Sequence, residues 1–359
     1  MELPLDKTIS RYLLTCLLIL LLTIVCYFYI IDLIIITVVL VASWIAYDFI
    51  QEKYNDDIDP SGKYVLITGC DSGFGLAGAK DLCKAGFEVI AGCYSASSPG
   101  AKELRRNRKI KIVTLDISSE ESVKQCVQNV KAWCRDAGLW AVVNNAGVNF
   151  SGHVELTSMS TYKRVSDVNL YGTVRVVKAT LPLLRQAKGR VVNVTSECAF
   201  NAWPQRSAYV ITKVGIEAFS ACLRREMEKF GVSVITVAPS SFAGATSITD
   251  SAANASLKAS LVNERKTLSE EDQSDAYPME EIEKIVQVLE EDMPRSCVSP
   301  TPVSRAYVRA VSHVSPCNLY MVHGTPREYL DPDVIIARIR PCLPERVMPY
   351  LEKVIARAL

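Results

Sequence analysis

Tyr209 and Lys213 lie four residues apart in the segment Arg206 to Phe230, which reads as a helix closed by Gly231, so both side chains emerge on one face. A lysine ammonium beside a phenol favours the phenolate and lowers its pKa toward neutrality, which lets the phenol take or return the proton of a hydroxyl group. Such a pair alone arises often by chance. Ser196 changes the odds, because it stands thirteen residues earlier at the carboxyl end of a strand-like run and can hydrogen-bond the same oxygen.

A second set surrounds the first strand-like run. Thr68, Gly69, Cys70, Asp71, Ser72, Gly73, Phe74 and Gly75 follow it directly and lead into a helix-forming run from Leu76. Glycines at such a turn let backbone N–H groups approach a pyrophosphate at a helix N-terminus, where the dipole favours negative charge. A glycine-rich turn without a ligand is the bland alternative. Asp116 ends the third strand, where its carboxylate can accept hydrogen bonds from an adenine amine or simply cap the helix that starts near Ser118. Asn144, Asn145, Ala146 and Gly147 close the fourth strand, where amides can tie neighbouring strands together. Asn169, flanked by Val168 and Leu170, is either a functional amide or a satisfied interior one. The end of the second strand, Gly92 to Ser95, offers neither a ribose-binding acid nor an arginine for a 2′-phosphate. Asp71 would repel that phosphate, so NAD is expected in preference to NADP.

The elements that must position these residues alternate. Strand-like runs over Tyr64 to Thr68, Glu88 to Ala91, Lys111 to Leu115, Ala141 to Asn144, Arg190 to Thr195 and Ser233 to Ala238 are separated by helix-length amphipathic segments. Apolar strands such as VVNV suit a parallel sheet covered on both faces, so the expected fold is α/β, a doubly wound Rossmann-type sheet with ligands at the strands' carboxyl ends. This catalytic domain is expected over residues 63–245, after a polar linker over 51–62. Residues 246–359 are expected to hold a substrate lid and a C-terminal extension of the same domain: Ser240 to Pro300, with a helix over Glu280 to Glu291, is the stretch expected to cover the substrate, and an extension with a helical pattern around Val303 to His313 follows. A short apolar run, Leu319 to Val322, and an amphipathic stretch, Pro344 to Leu359, complete it.

Residues 1–50 read as a membrane anchor. Tyr12 to Tyr47 is apolar almost without break, free of Gly and Pro, with Asp32 as its single charge. As a helix this run would be about 54 Å long, near twice a hydrocarbon core of roughly 30 Å. Two short transmembrane spans hinged near Asp32 are therefore expected, with one long tilted helix as the alternative.

Composition excludes other classes. With a net charge of +1 over 359 residues, nothing in the balance of charges points to nucleic acid. The twelve cysteines never form Cys-x-x-Cys, and the three histidines lack metal-site spacing, so neither a metal nor a serine-histidine triad is expected.

With these motifs assembled, residues 63 to about 245 resemble the short-chain dehydrogenase/reductase family. TGCDSGFG, NNAGV, VNVTS and YVITK occur in that family's order and spacing, and TGCDSGFG is similar to its retinol, 17β-hydroxysteroid and D-3-hydroxybutyrate dehydrogenase branch. The resemblance implies that Gly69, Gly73 and Gly75 form the dinucleotide loop, Asp116 contacts adenine and Asn144 lines the cofactor. It further implies a tetrad of Asn169, Ser196, Tyr209 and Lys213: Tyr209 as general acid/base, Ser196 polarising the reacting oxygen, Lys213 also holding the nicotinamide ribose, Asn169 supporting a water-linked proton path. The chain departs from the family at Ser240 after Pro239, at Gly244 where a threonine is usual, and at Ala199 and Phe200 where Gly-Arg is usual. Thr246 is the candidate substitute for the missing threonine.

The resemblance and the anchor together imply an oxidoreductase acting on a small lipophilic, steroid-like secondary alcohol, working as a homodimer in a membrane of the endoplasmic reticulum or, alternatively, of mitochondria. A D-3-hydroxybutyrate or retinol dehydrogenase is the alternative within the family, and Arg206 is the residue that would hold a carboxylate. A noncatalytic NAD(H)-binding membrane protein is the alternative from another class.

Overall fold

A computed structural model describes residues 7–54, 57–246, 251–292, 297–324 and 336, and the chain divides into two units, residues 1–56 and 57–359. The described residues of the first unit form one helix, α1 (Lys7–Tyr54). The hinge expected near Asp32 is absent: with no Gly or Pro between Tyr12 and Tyr47, nothing interrupts the i to i+4 backbone ladder, and a charged side chain alone does not break it. Thr15–Leu40 is long and apolar enough to cross a membrane, at about 39 Å of helix. Its large side chains are exposed, and the Thr23 and Thr37 hydroxyls donate to the Ile19 and Leu33 carbonyls at 2.8 and 2.7 Å, so neither hydroxyl relies on water.

The second unit opens with β1 (Tyr64–Thr68), α2 (Gly73–Lys84), β2 (Glu88–Cys93), α3 (Pro99–Leu104), β3 (Ile110–Thr114), α4 (Glu120–Cys134) and β4 (Ala141–Asn144). The chain continues through α5 (Met159–Ser166), a π-helical turn (Asp167–Gly172), α6 (Thr173–Ala187), β5 (Arg190–Val194), α7 (Ser207–Met227) and β6 (Ser233–Pro239). Then come α8 (Ser251–Arg265), α9 (Glu270–Asp275), α10 (Met279–Asp292), α11 (Thr301–Ser312) and β7 (Leu319–Val322). All strand pairs are parallel, in the order β3-β2-β1-β4-β5-β6-β7, so the direction of winding reverses between β1 and β4, where a doubly wound sheet binds its ligand.

One face of the sheet buries Val65, Ile67 and Ile235 against α2 and α11, the other Leu66, Val142 and Val191 against α4, α6 and α7. A third cluster joins Leu261 of α8 and Ile282 and Ile285 of α10 to Phe150, Val165 and Ala208, beside the strand ends. Glu264 of α8 reinforces it, accepting from Thr161 Oγ1 at 2.6 Å and the Ser158 N–H at 2.8 Å.

Residues 57–62 pack with the catalytic unit instead of linking to it: Ile58 N–H donates to the Ser312 carbonyl at 2.8 Å, and Ser312 Oγ to Asp57 at 2.8 Å. Among the described residues, α8 to α10 cover the strand ends, while α11 and β7 complete the central layers, because β7 pairs with β6 and α11 packs on α2. The amphipathic stretch Pro344 to Leu359 lies outside the described residues.

Candidate active site

A cavity of about 990 Å³ opens at the carboxyl ends of β1, β4, β5 and β6, and Ser196, Tyr209 and Lys213 line it together. Ser196 leaves β5 with extended backbone (φ −165°), and its Oγ caps a short 3-10 turn by accepting from the Cys198 N–H at 3.2 Å. Tyr209 stands in the first turn of α7 and Lys213 one turn later, with its Nζ 5.4 Å from the tyrosine ring centroid. Lys213 Nζ donates to the Val194 carbonyl at 2.9 Å.

The electrostatics differ from the expectation. Burial pushes Lys213 down to about 8, and burial pushes the Tyr209 phenol above its ordinary value, helped by Cys198 and Glu197 and opposed by the Ser196 hydrogen bond. Burial also holds the Cys198 thiol far up, so it is neutral near pH 7. Lys213 therefore does not by itself bring the phenol toward neutrality: its ammonium is spent on a backbone carbonyl, in a dry site that disfavours both charges.

Asn169 and Asn144 sit behind the cavity and do not line it. Asn169, in the π-helical turn, accepts from the Val148 N–H at 2.8 Å and donates to the Val148 carbonyl at 2.9 Å and Thr212 Oγ1 at 3.1 Å. These contacts occupy the amide and fix one cavity wall to α7. Asn144 donates to Asn193 Oδ1 at 2.8 Å, tying β4 to β5. The amide that serves the loop is its neighbour: Asn145 Nδ2 donates to the Thr68 and Gly69 carbonyls at 2.8 and 3.2 Å, and its Oδ1 accepts from Tyr307 of α11 at 2.9 Å.

The glycine loop wraps the N-terminus of α2, whose Ser72 side chain does not cap it. Gly69 and Gly73 have φ of +71° and +54°, a left-handed backbone. A Cβ on Gly75 would stand 2.1 Å from the Gly69 carbonyl oxygen, so only glycine lets the helix pack this closely. Asp71 crosses to the end of β2 and accepts from the Tyr94 and Ser95 N–H groups at 2.7 and 3.1 Å. Asp116 lines the cavity, and its Oδ1 accepts from the Ser118 N–H and Oγ at 2.9 and 2.7 Å, while the cap of α4 comes from Ser119. Thr246 also lines the cavity, 3.5 Å from where a Gly73 Cβ would be, whereas Gly244 faces Val298.

A profile of the short chain dehydrogenase family matches residues 63–256. The chain belongs to that family. The mitochondrial D-beta-hydroxybutyrate dehydrogenase of Mus musculus is 50% identical over 194 residues, 52% of this chain and 57% of that protein, so the match spans little over half of that relative. Estradiol 17-beta-dehydrogenase 2 of Mus musculus is 38% identical over 277 residues, 76% of this chain and 71% of the relative. A short chain dehydrogenase from Burkholderia cenocepacia, solved with NADP, superposes with a TM-score of 0.59 at 18% identity, covering 82% of this chain and 99% of that one; this likeness shows the fold alone.

The short chain dehydrogenases bind a nicotinamide cofactor, and the crevice fits one. The loop of Gly69, Gly73 and Gly75 leaves a cradle that a Cβ would fill, next to the N–H groups at the start of α2. Asp71, Asp116 and Gly147 line the path from that cradle to Lys213. When bound, the cofactor gives or takes a hydride at its nicotinamide ring.

Sequence reasoning missed Glu197, buried at 4% exposure on the cavity wall, and the support that Tyr307 gives Asn145. It also missed the polar inner face of α8: Asn254, Ser256 and Ser260 line the cavity beside Leu257. The irregular composition around Ser251 hides that helix, and nothing in the pattern separates Glu197 from a solvated residue.

Proposed function

We propose that this chain is a membrane-anchored dehydrogenase that transfers hydride between NAD(H) and the secondary alcohol or ketone of a lipophilic, steroid-like substrate. The observation that carries the proposal is the convergence of Ser196 Oγ, the Tyr209 phenol and Lys213 on one cavity at the strand ends. In reduction, Tyr209 gives its proton to the carbonyl oxygen once Ser196 turns its hydroxyl from Glu197 Oε2, 2.8 Å away, to hold that oxygen; in oxidation, Tyr209 takes the hydroxyl proton. The raised phenol keeps its proton near pH 7, a state fit for reduction. Lys213 holds the ribose side of the cofactor, and Asn169 holds the wall that aligns it.

Several features support the finer parts. The Asp71 carboxylate meets the N–H groups at the end of β2, where the adenosine ribose lies in this fold, and disfavours a 2′-phosphate there, which favours NAD. Phe242, Leu257 and Leu289 give the cavity an apolar side, and Asn254 Nδ2, without a partner among the described residues, offers a hydrogen bond to a neutral oxygen function. The helix Thr15–Leu40 suits a substrate that partitions into lipid. We assign the membrane to the endoplasmic reticulum, with mitochondria as the alternative, and expect a homodimer.

A second substrate class has its own support. The similarity to a hydroxybutyrate dehydrogenase and the presence of Arg206 in the cavity favour a small hydroxy acid. Detergent-solubilised protein incubated with NAD or NADP and a panel of steroids, retinol and D-3-hydroxybutyrate separates the two. Turnover of a lipid-soluble alcohol with NAD, lost in Tyr209→Phe, supports the proposal. Turnover of hydroxybutyrate alone replaces the substrate class. Tight NADH binding without turnover replaces the enzyme with a noncatalytic cofactor-binding protein.

A further inference from the structure

Three tripeptides of this chain have the Asn-x-Ser/Thr pattern that accepts an N-linked glycan: Asn149-Phe150-Ser151, Asn193-Val194-Thr195 and Asn254-Ala255-Ser256. In a domain folded inside the endoplasmic reticulum such an asparagine belongs on the surface, because the glycan is large, hydrated and joined through Nδ2. None of the three meets that condition. Asn193 is 0% exposed on β5, where its Nδ2 donates to Ser220 Oγ of α7 at 2.8 Å and its Oδ1 accepts from Asn144 at 2.8 Å. A sugar on that nitrogen has no room between strand and helix, and it removes a bond between β5 and the helix that carries Tyr209 and Lys213. Asn254 lines the cavity from α8 at 3% exposure, with its Nδ2 shut off from solvent. Asn149 lines the same cavity after β4; its Oδ1 is buried, and Ser151 of its tripeptide is 2% exposed. A glycan on either asparagine takes the space of the substrate.

We propose that the catalytic unit never enters a glycosylating lumen, and that α1 anchors it in the membrane of the endoplasmic reticulum on the cytosolic side. Glycan transfer acts on the extended chain as it emerges into the lumen, so burial in the finished fold protects none of the three asparagines. On the lumenal side each transfer would yield a chain that cannot close β5 against α7 or that fills its own cavity. The exposed Cys222 and Cys317 thiols are free, the state that a reducing compartment keeps. Cofactor then comes from the cytosol, and a lipid-soluble substrate from the cytosolic leaflet.

This placement rests on the assignment of the membrane to the endoplasmic reticulum, and the test separates the two. Sealed membranes from cells expressing the full chain are fractionated and treated with a membrane-impermeant polyethylene glycol maleimide, before and after opening with detergent. The mobility of the chain is read with and without peptide N-glycosidase. Lys109→Thr completes a further acceptor pattern at Asn107, exposed on the turn before β3, and reports a lumenal location independently of the three native sites. The expected result is equal labelling of Cys222 and Cys317 in sealed and opened membranes, with no glycosidase-sensitive shift in the wild type or in Lys109→Thr. A glycosidase-sensitive shift of the wild-type chain overturns the proposal. So does a shift of Lys109→Thr alone, or labelling of reticulum membranes that appears only after detergent. A chain that sediments with mitochondria and carries no glycan leaves the exclusion from the lumen standing and removes the reticulum assignment instead.

Discussion

Lys213 is costly to the empty fold, and Lys213→Met exposes that cost. The folded chain holds its pKa at about 8, against an ordinary value of 10.5. Below pH 8 both folded and unfolded chains carry the ammonium, and the folded chain alone carries it buried; the difference in pKa is worth about 3 kcal/mol against folding. As pH rises from about 8 to 10.5, the folded state releases its proton first and the penalty disappears. Replacement by Met removes the penalty but strands the Val194 carbonyl, a loss of about 1–2 kcal/mol. The variant without cofactor should thus be more stable than wild type at pH 7 by about 1–2 kcal/mol, or roughly 2–4 °C in Tm. The advantage should shrink or reverse by pH 10, while turnover is lost. Thermal unfolding of the detergent-solubilised full chain, followed by near-ultraviolet circular dichroism at pH 7 and pH 10, reads this directly. A variant less stable at pH 7, or a gap of the same size at both pH values, refutes the reasoning, since packing of the added methionine is independent of pH.

The raised Tyr209 phenol predicts opposite pH profiles for the two directions: alcohol oxidation should climb up to about tenfold per pH unit from 7 toward 9, and ketone reduction should hold level over that range. Initial rates of both directions in one buffer series test it, and an oxidation rate flat from pH 6 to 8 would mean that the bound cofactor overrides the field of the site. Gly75→Ala should weaken NADH binding by at least tenfold and lower stability by about 1–3 kcal/mol, because the new Cβ meets the Gly69 carbonyl at 2.1 Å and the loop must move. Titration of NADH by fluorescence checks it, and unchanged affinity would show that the cradle is not the pyrophosphate site.

What the sequence makes legible, and what it hides, follows from how local each feature is. The runs at Tyr64–Thr68 and Ala141–Asn144 are strands with the expected ends, because a strand buried on both faces is written as a continuous apolar run closed by turn residues. The helix carrying Tyr209 and Lys213 begins one residue after the expected start; its α-helical part ends at Met227, with a 3-10 turn to Phe230 before Gly231 at φ +68°. The short run Leu319–Val322 is too brief to separate strand from helix by periodicity, and its identity comes only from pairing with β6. Asn144, Asn145 and Asn169 are indistinguishable by type: their separate roles depend on which neighbour each amide reaches, across 49, 77 and 43 residues for Asn193, Thr68 and Thr212.

The same distinction divides the chemistry. That Ser196, Tyr209 and Lys213 line one cavity is set by a strand end and one helical turn, both local enough to be read from the sequence. The sign of the field they meet in is set by burial. Glu197 on the surface would be a solvated charge of little effect, whereas at 4% exposure beside Ser196 it opposes the phenolate that Lys213 was expected to favour. Residues named by type and spacing can therefore share one cavity and still hold their protons differently from the expectation, because the effect of burial exists only once the fold has taken them out of water.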